Sequence, residues 1–177
     1  YEAALLWTRV LMGGAIFIPV TFLDFVLTWL KLRRSHTPYL FFCYFLSGLF
    51  VVLDFTPLIV RAVEPRNIFP FWPVPGSIFL YALIFFLCNA FYACYVLSKV
   101  LRRSSGRWRN QIRLVLIGMI IGYVGGSTNY FLWYNIQILP YGNGLAPIYM
   151  GMMAYAILKY SAMDIEVIIK RTLVFAG

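Results

Sequence analysis

The 177-residue chain is 62% hydrophobic, 19% aromatic and only 12% charged, about half the charge of a soluble domain, so it cannot clothe its own surface in polar groups. Its apolar runs are continuous rather than alternating, which excludes a transmembrane β-barrel and predicts an all-α, polytopic transmembrane helix bundle. The net charge of +9 would suit a nucleic-acid binder, but Lys and Arg gather in the cytoplasmic loops of membrane proteins, so the expected partner is the lipid bilayer and no nucleic acid.

A spanning helix needs about 20 mainly apolar residues. Five such runs follow in chain order, at about 5–30, 38–60, 75–98, 112–134 and 145–160. An elbow over 161–171 comes next, and 172–177 reads as the start of a sixth span. The first break is "KLRRSHTP", in which His36 reads as a solvated loop residue. The second, "RAVEPRNIFPFWPVPG", holds Pro65, Pro70, Pro73 and Pro75 and so excludes regular helix. "KVLRRSSGRWRNQ" and "LPYGNG" make the third and fourth. The chain starts with Tyr1 and stops inside an apolar run, so both ends read as cuts in a longer protein.

Twelve of the fifteen Lys and Arg fall on one side of this arrangement, in the first and third connections and after the fifth span. Arg9, Arg61 and Arg66 fall on the other. By the positive-inside rule the first span starts outside and 161–171 is cytoplasmic.

Within the spans, Asp24 and Asp54 are the acids. An intramembrane acid is a functional candidate by default. Asp24 lies seven residues before Lys31 and Asp54 seven before Arg61, about 10 Å along each helix, which puts the two acids near opposite faces of the membrane. A shared site is therefore disfavoured. Pairing of each with a nearby base or water is the plainer reading, with Arg9 and Arg61 as partners for Asp54. Asn89, in the third span, reads as a hydrogen-bonding contact between helices.

In the fourth span "GMIIGYVGG" sets Gly118, Gly122 and Gly126 four residues apart on one face, which lets another helix approach closely. Contact within the bundle is favoured over contact between protomers. Beyond it, Asn129, Tyr130, Trp133 and Tyr134 either line an outward-facing ligand pocket or form an aromatic belt at the interface. Cys43, Cys88 and Cys94 lie in apolar runs with no Cys-x-x-Cys pair, and the chain has one His. Buried free thiols are expected, with no metal and no cofactor. No phosphate loop, His-Glu-x-x-His motif or nucleophile–base pair is present, so no catalytic residue is assigned.

After the fifth span, Asp164 and Glu166 precede Lys170 and Arg171. Acid at a helix start and base at its end match the helix dipole. Ile165, Ile168, Ile169 and Thr172 then share one face. A strand with Ile165, Val167 and Ile169 on one side is the alternative. The charge order favours a short amphipathic helix on the inner leaflet.

"MMAYAILKYSAMDIEVIIKRTLVFAG" resembles the end of the N-terminal seven-transmembrane sensory region of bacterial histidine kinases. "GGSTNYFLWYNIQILPYGNGLAP" and "GAIFIPVTFLDFVLTWL" are similar to its preceding segments. Ser161 and Ala162 stand where the family usually has Arg-Leu, and a His is common at the position of Asp24. The resemblance implies a sensory input region in the bacterial cytoplasmic membrane. It would bind a small or lipophilic ligand, or sense a membrane state, and bias a cytoplasmic kinase through the elbow. Homodimerisation would run through the missing cytoplasmic domains, and the full-length protein would be the enzyme. The rival readings are a transporter or channel, which needs acids along one polar path, and a non-sensory scaffold subunit of a membrane complex.

Overall fold

A computed structural model describes residues 1–156, 158 and 159. Helix α1 runs Glu2–Trp29 and α2 runs Arg33–Asp54. A two-stranded antiparallel ribbon follows, β1 Val60–Arg66 and β2 Phe69–Pro75. Helix α3 spans Phe79–Arg103, α4 Gly106–Ser127 and the short α5 Asn129–Trp133. A single 3-10 turn at Tyr141–Leu145 leads into α6, which begins at 146.

Four segments are long and apolar enough to cross a membrane: Glu2–Trp29, Arg33–Asp54, Phe79–Arg103 and Gly106–Trp133. The fifth expected span is described as helix over 146–156. The elbow residues Asp164, Glu166, Lys170 and Arg171, and the expected sixth span, lie outside the described residues.

The long helices alternate in direction, so the bundle has two unlike ends. One bears the ribbon (the ribbon end). The other bears the α1–α2 and α3–α4 connections with their Lys and Arg (the basic end). Helix α1 packs against α2 and α3, α3 packs against α4, and α4 packs against the 3-10 turn. Buried Ile16, Val20, Leu23 and Leu27 sit at i, i+4, i+7 and i+11 and form the inner face of α1. Its outer face is just as apolar: Trp7, Leu11, Ile18 and Phe25 are exposed. Helix α2 exposes Phe41, Phe45, Leu49 and Val52 in one stripe. Apolar faces of this extent are untenable in water and suit lipid.

Two clusters fill the interior. Leu23, Leu27, Leu97, Ile112 and Ala156 lie at the basic end. Ile16, Phe50, Ile59, Phe79 and Trp133 lie at the ribbon end, where Phe79 stacks on Trp133 with ring centroids 4.2 Å apart.

Helix α2 stops at Asp54, short of the expected limit near 60. Pro57 lies beyond that end and cannot donate to the carbonyl of Leu53, so the helical ladder cannot continue. The proline-rich second connection is a ribbon and not an irregular loop. Each strand has one free edge, where a missing N–H costs nothing. Its two-residue tip begins at Asn67, whose φ of 51° is a backbone state that Asn tolerates.

Candidate functional site

The α1–α2 connection reverses through Lys31, at φ 58°. The reversal brings Arg33 back beside Asp24, where Nε donates to the carboxylate at 2.6 Å. Tyr44 and Thr28 donate to the same carboxylate at 3.2 and 3.3 Å. Asp24 thus ties the basic end of α1 to α2, with Arg33 rather than Lys31 as its base.

Asp54 is fully buried at the ribbon end, and neither carboxylate oxygen has a hydrogen-bond partner among the described residues. The charge that acts on it is Arg9. That guanidinium donates to the carbonyls of Phe55 and Val60 at 3.0 and 3.2 Å, fastening the start of the ribbon to α1. The two acids therefore sit at opposite ends of the bundle, each beside its own arginine.

Asn89 is buried, donates to the carbonyl of Phe85 at 2.9 Å, and accepts from Cys43 and Tyr39 of α2 at 3.2 and 3.4 Å. His36 belongs to the first turn of α2 and is half-buried. Its Nδ1 lies 3.0 Å from the Leu32 carbonyl and its Nε2 3.0 Å from the Tyr92 hydroxyl.

Gly122, Gly126, Asn129 and Tyr130 converge on a cavity of about 340 Å³ between α1, α3, α4 and α6. Gly118 and Gly122 face α6: a Cβ on Gly118 would lie 3.5 Å from Met152, and one on Gly122 3.1 Å from the Tyr149 ring. A Cβ on Gly126 would meet nothing within 4 Å, because Gly126 borders the cavity. One glycine stripe thus has two uses, close packing below and open space above.

At the cavity mouth, Asn129 and Asn143 exchange side-chain hydrogen bonds at 2.9 and 3.0 Å. Beside them the backbones of Gly125 and Gly142 touch. A Cβ on Gly142 would lie 2.1 Å from the Gly125 carbonyl oxygen, so only glycine fits there. The walls are Phe86, Tyr123 and Tyr130, packed edge to face across Phe86. The Tyr123 hydroxyl is buried with no partner among the described residues. The cavity therefore offers an apolar body with an amide pair at the rim, the makeup of a small-molecule site.

Of the sequence candidates, Asn129, Tyr130, Gly122 and Gly126 meet here. Asp24, Asp54 and Asn89 do not line the cavity, nor does Trp133. Sequence reasoning missed Phe86, Tyr123, Asn143 and Tyr149. Asn143 was hidden in a stretch read only as turn chemistry, and the aromatics were hidden among many others in apolar helices. Pro19, one turn from the cavity-lining Ala15, is the signal that could have been used: it cannot donate to the Ala15 carbonyl.

Among the described residues no cluster of His, Cys, Asp and Glu could hold a metal ion. No curated protein and no solved structure matches the chain. A family model described as the N-terminal 7TM region of histidine kinase matches residues 1–166. Four long apolar helices, a multi-pass membrane architecture and that match over nearly the whole length agree, and the chain belongs to the family of N-terminal 7TM sensory regions of histidine kinases.

Proposed function

We propose that the chain is the signal-input region of a sensor histidine kinase, and that the cavity between α4 and α6 is where the stimulus acts. The supporting observation is that the cavity is bordered by the same glycine face on which α6 packs. A ligand there presses on Tyr149 and changes how α6 lies on α4. The expected ligand is small and largely apolar, with a hydrogen-bonding group for the Asn129–Asn143 rim. Helix α6 leads towards Lys159 and the 161–171 elbow, the route to a cytoplasmic output domain. The ribbon end faces outside and the basic end the cytoplasm of a bacterial cell, and the kinase domains hold the dimer together.

The test is Gly126→Leu in the full-length protein reconstituted in lipid nanodiscs. Gly126 borders the cavity and a Cβ there meets nothing within 4 Å, so the new side chain enters the cavity. Autophosphorylation shifts by about fivefold or more in either direction, as a coupling of about 1 kcal/mol requires. Gly48→Leu, at another glycine whose Cβ meets nothing within 4 Å, leaves it unchanged. Equal behaviour of the two variants, or a full-length chain with no kinase domain, refutes the reading.

A further inference from the structure

At the basic end a second recess, a groove of about 700 Å³, opens between the α1–α2 and α3–α4 connections. Its wall is one face of α3: Tyr92, Val96, Lys99 and Arg103 lie at i, i+4, i+7 and i+11. Trp108 of α4 closes the far side and is itself braced on Trp29, with ring centroids 4.9 Å apart. The face is graded along its length. Two cations stand at the end of the helix, and about 10 Å further into the bundle the wall is Val96, Tyr95, Leu32 and Tyr92, the last with its hydroxyl 3.0 Å from His36 Nε2. Lys99, Tyr95 and Arg103 are exposed. The one acid described at this end, Asp24, is taken by Arg33, so no described carboxylate neutralises Lys99 or Arg103. Ser105, at the N-cap of α4, makes no side-chain capping bond and adds a hydroxyl to the rim of the groove.

We propose that this groove is a binding site for an anionic phospholipid. The phosphodiester lies between Lys99 and Arg103, and one acyl chain runs along Val96 and Tyr92. Charge complementarity fixes the sign of the headgroup. The apolar continuation fixes the lipid, because a free phosphate would leave the aromatic wall bare. The proposal is independent of the ligand cavity and of which side the basic end faces.

Native mass spectrometry of the protein released from vesicles of equal phosphatidylglycerol and phosphatidylcholine tests it. The wild-type chain retains phosphatidylglycerol in preference to phosphatidylcholine. The Lys99→Gln/Arg103→Gln variant loses about tenfold of that retention, and Lys99→Arg/Arg103→Lys keeps it. Arg102→Gln/Arg109→Gln, which removes two cations outside the groove, loses less than twofold. Circular dichroism checks that each variant remains helical; if the double Gln variant does not, the charge-preserving variant is compared with Tyr92→Ala, which shortens the acyl wall and lowers retention. Equal retention of both lipids, an equal loss in the Arg102/Arg109 variant, or displacement by millimolar inorganic phosphate overturns the proposal.

Discussion

Arg9 and Asp54 form an unequal pair. The arginine spends its Nη donors on two carbonyls, while the acid has no hydrogen bond among the described residues. Arg9→Leu therefore strands two carbonyls and a buried carboxylate together, and is expected to cost about 3–5 kcal/mol. Asp54→Asn removes the charge but keeps the shape and costs much less. Denaturant titration in detergent micelles, followed by circular dichroism, ranks them; the reverse order would show that Asp54 is the structural member. Asp24→Asn breaks an ion pair whose arginine is 59% exposed and is expected to cost under about 1 kcal/mol. Asn89→Leu removes the acceptor used by Tyr39 and Cys43 and is expected to cost about 1–2 kcal/mol in the same titration. The spacing of Asp24 and Asp54 from nearby bases was enough to separate them to opposite ends. It could not choose Arg33 over Lys31, because that choice depends on a left-handed backbone at Lys31 that Lys does not advertise.

At the level of elements, the helices were legible because their apolar runs are long and their breaks hold Pro, Gly or clustered charge. The ribbon was not. Four prolines argue correctly against helix, but strand pairing is set by contacts between residues distant in sequence, and no alternation marks β1 or β2. The contact between α4 and α6 was half legible. Glycine spacing gave the face, whereas the partner and the empty space at Gly126 depend on where Tyr149 points. That asymmetry is testable. Gly122→Ala places a methyl 3.1 Å from the Tyr149 ring and is expected to destabilise the fold by about 1–3 kcal/mol through overpacking. Gly126→Ala is expected to be neutral within about 0.5 kcal/mol. Thermal unfolding in one detergent compares the two directly, and equal costs would contradict the packing described.

For the molecule as a whole, the exposed aromatic and aliphatic stripes define a surface suited to lipid, and the proposed orientation gives each end a distinct chemical accessibility. In intact cells a membrane-impermeant maleimide is expected to label Asn67→Cys, at the ribbon tip, in a background with the native thiols removed. Arg103→Cys is expected to react only after the membrane is opened. In a chain that keeps Cys88 as its sole thiol, that residue, exposed on the side of α3, is expected to stay unlabelled in both states because it faces acyl chains. Labelling of position 103 in intact cells would reverse the orientation.

The backbone contact between Gly125 and Gly142, with the amide exchange beside it, holds the start of α6 to the end of α4 at the ribbon end. It makes that point a fulcrum. Tyr149 stands about 6 Å along α6 from the 3-10 turn and Ala156 about 16 Å, at 1.5 Å per residue. A push of 1 Å delivered at Tyr149 would thus swing Ala156 by about two to three times as much. What holds Ala156 there includes a single long hydrogen bond from Gln111, 3.5 Å.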